Sequence, residues 1–554
     1  MNRTYKRVLK TMALIMAPTI LLAACGPNQS EEKKNDKGQL VVTIGQQTLD
    51  NSKLPQGDSY ENNAYRRLIE KEMNVDLKSE FEANGEEYDR QVSLAIASGE
   101  IPDIMVVNHD QLVELAQNDL IEDLSDIYKK KASKYIKSIY DSFDDVPLKA
   151  ATVDGKLMAI PGTANDFGPN LVWIRQDWLD KLGITLDKDG NHAISLDELE
   201  STAKAFIEKN PGGAQKTQGL AFANYLNADN HGNTGYTATA IMNAFNAYPK
   251  VYMGNQSGVT YGSNTPEMKE GLGYLRRLYN EGVIDKQFGT RTYDDITAMV
   301  VNNELGIVPG PWHIPDWNLV QVRTAHPEAD FTPYALEDKE GHINAVQKTG
   351  VGGFIVVRKG FSKPELVMDM VNLIYDKVRH SENMEKEYPE IYEYQKIGVD
   401  GSVRPTNIEL FKNLSEISDA QEAVDGSNGT IDIAKIEDFG IQEMAKTIKE
   451  YKEDPAKAAP NKWASYVTRD KAIVGVMGNV RKLDSYREEH PLAIFDTLEA
   501  AKRNGAQLEK LEQEMFIQYV TGQASLDTFN DYVKKWNDQG GADILKEIQA
   551  LQKK

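Results

Sequence analysis

Short apolar strands alternate with helices over the first folded stretch of this chain, and that alternation limits the folds that it can adopt. Strands are predicted at Leu40–Gly45, Val75–Lys78 and Ile101–Val107, with helices at Ala64–Met73 and Glu86–Ser98 between them. Short strands separated by helices favour an open sheet with crossover helices, because parallel neighbours need a long connection. The sequence therefore predicts an α/β fold.

In such sheets a ligand lies beyond the carboxyl ends of the strands. This rule points to two places, the long polar loop from Gly45 to Asn63 and Asn108, which directly follows the third strand. We therefore expect Asn108 to contact a ligand.

The first 24 residues have the composition of a secretory signal peptide. Four basic residues precede an uncharged, mostly apolar run from Thr11 to Ala24, which is shorter than the roughly 20 residues of a spanning helix. The run ends in Leu-Ala-Ala-Cys, which resembles the bacterial lipobox, so Cys25 is the predicted lipidation site. An ordinary signal peptide with a chance cysteine is the alternative. Residues 25–38 contain no large apolar side chain and are predicted to form a flexible tether.

Charge and cysteine usage exclude some classes of partner and of stabilising bond. The formal net charge is −21, and removal of the four basic residues of the signal would leave −25. Such an acidic body disfavours nucleic acid and anionic membrane surfaces as partners. Cys25 is the only cysteine, so no intramolecular disulfide can form.

Several motifs along the chain resemble those of one protein family. They are Ala97–Asp103, Leu120–Leu124, Asp154–Pro161, Trp173–Gly183, Leu278–Ile284 and Phe516–Gly541. In this order they resemble an extracellular solute-binding protein of the sugar-binding type, the receptor component of an ABC importer. The subgroup is that of the large Gram-positive oligosaccharide-binding lipoproteins, which are related to alginate-oligosaccharide receptors.

The resemblance implies a two-lobed, periplasmic-binding-protein-like (type II) fold with a hinge and an interlobe cleft. It also implies a monomer that is lipid-anchored on the extracellular face of the cell membrane and that works with permease subunits. We expect lobe 1 at residues 39–161, with 305–355 returning to it, and lobe 2 at 162–304. The helical segments of 356–554 should be shared between the lobes.

Aromatic side chains are the first candidates for a sugar site. Indole and phenol rings stack on the C–H faces of sugars, while polar side chains bind the hydroxyl groups. Pro309–Trp317 is too rich in glycine and proline for a regular helix, so it is predicted to form a loop that faces the cleft. Trp312 and Trp317 could serve either stacking or packing, and the resemblance places Trp173 near the cleft. The predicted ligand-binding residues are Asn108, Trp173, Arg175, Tyr236, Trp312, Trp317 and Trp463.

Residues 187–198 match most of a calcium-binding loop. The predicted oxygen ligands are Asp187, Asp189, Asn191, the Ala193 carbonyl, Ser195 through water, and Glu198. His192 stands at the turn position that normally holds glycine. The alternative is an ordinary turn followed by a capping box from Ser195 to Glu198. We predict one structural Ca²⁺ at this loop, with that alternative open, and no organic cofactor.

Motifs for enzymatic chemistry are missing from the sequence. It contains no Gly-x-Ser-x-Gly, no His-Glu-x-x-His, no Walker loop and no dinucleotide fingerprint. We therefore predict a receptor that captures an oligosaccharide and delivers it to a permease. A cell-surface glycoside hydrolase, which needs only two carboxylates, and a receptor for a non-sugar ligand such as a peptide are the alternatives.

Overall fold

The computed structural model describes residues 33–49, 53–227, 235–255, 258–399 and 401–552. The predicted signal peptide, Cys25 and most of the predicted tether lie outside the described residues, so their roles stay predictions.

Strands and helices alternate along the chain. The strands are β1 (Leu40–Thr48), β2 (Val75–Asn84), β3 (Ile104–Val107), β4 (Thr152–Val153), β5 (Lys156–Leu157), β6 (Ile160–Pro161), β7 (Ala164–Phe167), β8 (Leu171–Arg175), β9 (Ala193–Ser195), β10 (Tyr252–Asn255), β11 (Gly258–Tyr261), β12 (Ile307–Gly310), β13 (Phe331–Glu337), β14 (Ile343–Gly350), β15 (Phe354–Val357) and β16 (Tyr486–Glu489). The α-helices are α1 (Ala64–Met73), α2 (Gly85–Ser98), α3 (His109–Gln117), α4 (Ser125–Lys131), α5 (Lys134–Asp141), α6 (Val146–Ala150), α7 (Gln176–Leu182), α8 (Leu196–Lys209), α9 (Thr239–Asn243), α10 (Pro266–Asn280), α11 (Tyr293–Val301), α12 (Val320–Ala325), α13 (Leu366–Asn372), α14 (Met384–Glu387), α15 (Pro389–Ile397), α16 (Ser415–Ser427), α17 (Phe439–Glu453), α18 (Pro460–Tyr466), α19 (Gly478–Val480), α20 (Glu499–Thr521), α21 (Phe529–Trp536) and α22 (Ala542–Leu551). Short 3₁₀ or π-helical stretches adjoin them at Gly262–Asn264, Pro315–Leu319, Leu373–Val378, Gly401–Val403, Ile433–Lys435, Val467–Met477, Leu526–Thr528 and Asn537–Gly541.

The first lobe is built on the sheet β2-β1-β3-β15-β6. Strands β1, β2 and β3 run parallel, and β15 lies antiparallel between β3 and β6. Every residue of β3 and β15 is buried, as expected for strands covered on both faces. Helix α1 begins where Asn63 accepts hydrogen bonds from the N–H groups of Tyr65 and Arg66, which is an N-cap. The predicted α/β class is confirmed.

The second lobe is built on the sheet β12-β8-β13-β14-β16, with β7 on β14 and β9 on β13. The predicted return of residues 305–355 to the first lobe is wrong for most of that segment. Strands β12 and β13 flank β8 of the second lobe, and only β15 joins the first sheet. All residues of β8 and β12 are buried, so apolar strands from distant parts of the chain share one core there.

The segments after residue 356 divide between the lobes. Buried side chains from residues 361–410 belong to the core of the first lobe. Those from 451–480 and from 500–548 belong to the cores of the second lobe. The α16–α17 hairpin packs on the 467–477 stretch of the second lobe. Its Asp438 pairs at 2.7 Å with Arg379, which follows a buried helix of the first lobe.

Three chain crossings form the hinge between the lobes, at residues 161–164, 350–354 and 408–414. The N–H of Gly162 donates to the carbonyl of Gly353 at 2.8 Å, and Thr163 N–H donates to the carbonyl of Glu409 at 2.7 Å. A Cβ on Gly162 would lie 2.9 Å from the Gly352 oxygen, and Gly353 has a φ of +97°. Glycine is therefore required where these strands touch.

Candidate functional site

A cavity of ≈ 580 Å³ lies between the two lobes and beside the hinge. The first lobe lines it with Asn108, His109 and Phe354, and the second lobe lines it with Lys250 and Tyr252. The cavity adjoins the carboxyl end of β3, which is the position where open α/β sheets bind ligands. One ligand in this cavity would therefore touch both lobes.

Asn108 lies at this cavity, where the sequence predicts it. Its Oδ1 accepts a hydrogen bond from the N–H of Gln111 at 2.9 Å, and the Gln111 side chain accepts from the Asn108 N–H at 3.0 Å. These two bonds form a capping box at the start of α3. A ligand contact from this residue would therefore fall to its amide nitrogen.

Residues 491–498, which we name the bridging segment, close one side of the cavity. The N–H of Leu492 donates to the carbonyl of Tyr252 in the second lobe at 2.8 Å. The Thr497 hydroxyl donates to Asp110 in the first lobe at 2.7 Å. This segment could not be predicted from the sequence, because its apolar residues follow neither a helical nor a strand period.

The loop after β12 carries two tryptophans of the second lobe. Gly310 pairs with Leu171, the residue that starts β8 just after the first hinge crossing. Trp312 is half-buried and Trp317 is 55% exposed. The ring of His313 lies 5.0 Å from the ring of Trp312 and 5.1 Å from the ring of Trp317. Three neighbouring aromatic rings thus form a surface on which a sugar could stack.

The charged groups beside these rings neutralise one another. Arg469 Nη1 donates to both carboxylate oxygens of Asp316, at 2.8 and 2.6 Å. Burial, together with the positive charge of Arg469, lowers the pKa of His313 to about 4. His313 is therefore neutral at physiological pH, and the aromatic surface carries little net charge.

The structure corrects the predictions for Trp173 and Arg175, because both are buried inside the second lobe. Trp173 Nε1 donates to the carbonyl of Pro311 at 3.1 Å, so the buried indole holds the first residue of the loop that carries Trp312 and Trp317. The Arg175 guanidinium donates two hydrogen bonds of 2.7 Å to Asp177 and one of 2.6 Å to Asn303. These side chains stabilise the lobe and do not face the cleft.

Tyr236 and Trp463 are also buried, so their predicted contacts with a ligand are corrected in the same way. The hydroxyl of Tyr236 lies 3.0 Å from the Thr297 hydroxyl and accepts from Asn318 at 3.2 Å. Trp463 Nε1 donates to Asp330 at 2.8 Å. Their polar atoms are satisfied inside the protein, and a sequence pattern cannot distinguish this use from ligand binding.

The predicted calcium loop has a left-handed residue at its sixth position, as such loops do. His192 adopts a φ of +64°, so it makes the sharp turn for which glycine is the usual residue. The His192 N–H donates to Asp187 Oδ1 at 3.0 Å, and the Ala193 N–H donates to Asn191 Oδ1 at 2.9 Å. These bonds draw Asp187 and Asn191 around the turn.

The capping box that was the alternative interpretation is present in the same loop. The Ser195 N–H donates to Glu198 Oε2 at 3.1 Å, and the Glu198 N–H donates to Ser195 Oγ at 3.2 Å. In a calcium loop these two residues hold positions 9 and 12, so one arrangement can serve both purposes. Burial, followed by the negative charges of Asp189 and Glu198, raises the pKa of neighbouring Glu337. The carboxylates of this loop do not form a converging group of ligand atoms in the described part of the chain.

A second group of possible metal ligands, which the sequence analysis did not identify, consists of Asp338, Glu340 and His342. Asp338 Oδ1 accepts the N–H groups of Glu340 at 2.9 Å and His342 at 2.8 Å, and Oδ2 accepts from Asn344 at 3.0 Å. These hydrogen bonds form the turn between β13 and β14, and the turn explains why the three side chains lie close together.

Comparison with known families identifies the chain. A family described as bacterial extracellular solute-binding protein matches residues 53–377, which is more than half of the chain. The chain belongs to this family. Lipoprotein LipO of Bacillus subtilis is 22% identical to this solute-binding protein, and the match covers 98% of each chain. The polygalacturonan/rhamnogalacturonan-binding protein YtcQ of Bacillus subtilis is also 22% identical, over 87% of this chain and 86% of that one.

A solved structure confirms the fold of this solute-binding protein. It is the ABC-transporter substrate-binding protein FusA of Streptococcus pneumoniae, as an EF-hand mutant in complex with fructo-nystose. The two chains are 16% identical, the match covers 92% of this chain and 98% of FusA, and the TM-score is 0.57. The predicted two-lobed fold is thereby confirmed.

Among the described residues of this solute-binding protein, none of the helices combines the length and the apolar character that crossing a membrane requires.

Proposed function

We propose that this protein captures an oligosaccharide in the cleft between its lobes and delivers it to the permease of an ABC importer. The observation that carries the proposal is the cavity that both lobes line beside a glycine-rich hinge. A ligand that touches both lobes stabilises the closed state, because only that state offers both sets of contacts. The ligands named for YtcQ and FusA are saccharides, which supports a sugar as the ligand here.

Sugar rings would stack on Trp317 and Trp312, and polar groups would bind the hydroxyls. Trp317 is the exposed ring and Trp312 the half-buried one. The polar side chains proposed for the hydroxyls are His313, between the two tryptophan rings, and Asn108, at the interlobe cavity. Binding requires no bond to form or break, so the protein would release the sugar unaltered.

Lipidation at Cys25 would hold the protein on the extracellular face of the membrane of a Gram-positive bacterium. The lipobox-like sequence supports this anchor, as does the match to LipO, which is named as a lipoprotein. Residues 25–38 would act as a tether between the lipid and the first strand. The folded part would work as a monomer in front of the permease subunits.

The calcium-type loop would hold one structural Ca²⁺. Asp187, Asp189, Asn191, the Ala193 carbonyl and Glu198 would supply oxygen ligands, with Ser195 acting through water. The turn at His192 and the EF-hand named for FusA support this proposal. The ion would join the loop to the start of α8 and to β13, because β9 pairs with β13.

Replacement of one exposed ring tests the sugar site. We expect Trp317→Ala to weaken oligosaccharide binding about tenfold or more, or ~1.4 kcal/mol, measured by isothermal titration calorimetry. The melting temperature of the free protein should stay nearly unchanged, because Trp317 packs little. Leu94→Ala is the matched control, because Leu94 is also 55% exposed but lies on a helix of the first lobe. If Trp317→Ala binds the oligosaccharide as tightly as the wild type does, the tryptophan loop is not part of the sugar site.

The glycoside hydrolase alternative is tested on the same samples. After prolonged incubation with the bound oligosaccharide, chromatography should recover the sugar at its original length. Shortened products would show that the protein is a glycoside hydrolase and not a receptor. Two carboxylates at a suitable distance are sufficient for that reaction.

A further inference from the structure

The lysines that line the interlobe cavity in the described part of the chain are already paired with carboxylates. Lys250 Nζ lies 2.9 Å from Glu509, and Lys502 Nζ lies 4.0 Å from Asp110. The cavity lining itself holds two lysines against two aspartates, Asp110 and Asp496. Its formal charge is therefore close to zero, and it becomes negative when Glu509 is counted.

In the part of the chain that the structure describes, His109 at the cavity and Arg469 beside the tryptophan loop are also neutral or neutralised. His109 lines the cavity, and burial lowers its pKa, which favours the uncharged imidazole at physiological pH. Beside the tryptophan loop, Arg469 is held by Asp316 through two short hydrogen bonds. A carboxylate on a ligand would have to compete with a protein carboxylate for each of these cations.

We infer that the oligosaccharide that this protein takes is uncharged, in contrast to the uronic-acid polymers named for YtcQ. This inference rests on the proposed function and narrows its substrate class. A carboxylated sugar needs a free cation, and Arg in particular recognises a carboxylate through two parallel hydrogen bonds. Here each carboxylate would be desolvated next to like charges, and the net charge of −21 would repel it at long range.

A comparison of neutral and acidic sugars of equal length tests the inference. The probes are fructo-, gluco-, galacto- and manno-oligosaccharides on one side, and oligogalacturonides and alginate oligosaccharides on the other. Isothermal titration calorimetry at low and at high salt should find binding to a neutral sugar with an affinity that salt leaves unchanged. Tighter binding of an acidic sugar, with an affinity that falls at high salt, would overturn the inference and leave the proposed receptor function in place.

A failure of all these probes has a different meaning. If neither class of sugar binds or shifts the melting curve, the proposed function fails and the inference fails with it. The two failures are therefore distinguished by whether any carbohydrate binds at all.

A variant that frees one cavity lysine tests the physical reason. In Glu509→Gln, Lys250 loses the carboxylate 2.9 Å away and keeps only the buried Glu512 near it, so affinity for oligogalacturonides should rise about tenfold or more. Affinity for the neutral sugar should not change. Glu514→Gln is the matched control, because Glu514 lies on the same helix and pairs with Lys510, which is 76% exposed. No gain for Glu509→Gln, or an equal gain for the control, would refute the role of the paired lysines.

Discussion

Glu512 gives the protein a pH dependence that can be calculated from its surroundings. It lies on α20 in the second lobe and is 2% exposed. Its carboxylate accepts hydrogen bonds from the hydroxyls of Tyr261 at 2.8 Å and Ser263 at 3.1 Å. Burial nevertheless dominates, because the attraction of Lys250 and these two bonds only partly offset it, and the pKa of Glu512 rises from 4.5 to about 7.

The direction of the effect follows from where the proton binds. The folded protein holds the proton of Glu512 more tightly than the unfolded chain does, so ionisation favours unfolding. The free energy of unfolding therefore falls as the pH rises from about 4.5 to about 7, and this group has no further effect above that range. A shift of this size corresponds to about 3 kcal/mol in total, of which about 2.5 kcal/mol falls between pH ~5 and pH ~8.

Replacement of Glu512 with glutamine isolates this contribution. Glutamine keeps the shape, can accept one hydroxyl bond with its Oε1 and can donate from its Nε2 to the other hydroxyl oxygen, but it carries no charge at any pH. Urea denaturation should show Glu512→Gln gaining about 2 to 3 kcal/mol relative to the wild type between pH ~5 and pH ~8. Glu514→Gln, on the same helix but 58% exposed, is the control and should show no such gain. A difference between Glu512→Gln and the wild type that does not vary with pH would refute the reasoning.

Three further predictions concern the calcium loop, the contact between the lobes and the buried tryptophan. EDTA should lower the melting temperature of the wild type, and Ca²⁺ should restore it. Glu198→Gln keeps the capping box but loses the charge of one proposed ligand. Its melting temperature should be lower than that of the wild type and should not change when EDTA is added. Arg379→Met should increase the radius of gyration of the ligand-free protein, because it removes the pair with Asp438 that joins the first lobe to the α16–α17 hairpin. Trp173→Phe should destabilise the protein by about 1 to 3 kcal/mol in urea, because a fully buried indole and its hydrogen bond to Pro311 are lost.

Each of these predictions can fail in a specific way. If EDTA changes the melting temperatures of the wild type and of Glu198→Gln equally, the loop does not bind calcium. An unchanged radius for Arg379→Met would mean that the ion pair does not restrain the lobes. Unaltered stability of Trp173→Phe would contradict its place in the core.

Local patterns predicted the first lobe well. The helix Ala64–Met73 has the predicted bounds, because Asn63 supplies an N-cap and apolar residues follow the helical period. Asn108 lies at the ligand end of β3 because strand direction in a parallel sheet fixes which end carries the loop. These features depend on neighbours in sequence, so the sequence contains them.

Features that depend on distant neighbours were harder to predict. The hydrophobic pattern of residues 305–355 predicts strands but does not indicate which lobe they join. The pairing of β12 with β8 places β12 in the second lobe. A tryptophan carries the same indole in a core as in a binding site, so the burial of Trp173 and Trp463 could not be read from their motifs. In the predicted calcium loop, His192 takes the left-handed turn where glycine is usual, and histidine is among the non-glycine residues that adopt this conformation most often.

The central claim is that two lobes close around an oligosaccharide that is released unaltered. Small-angle X-ray scattering of the purified protein, with and without an oligosaccharide selected by its shift of the melting curve, tests this claim most directly. We expect a smaller radius of gyration with the sugar present, and we expect the sugar to be recovered intact afterwards. A radius that does not change at saturating sugar, or a shortened sugar, would contradict it.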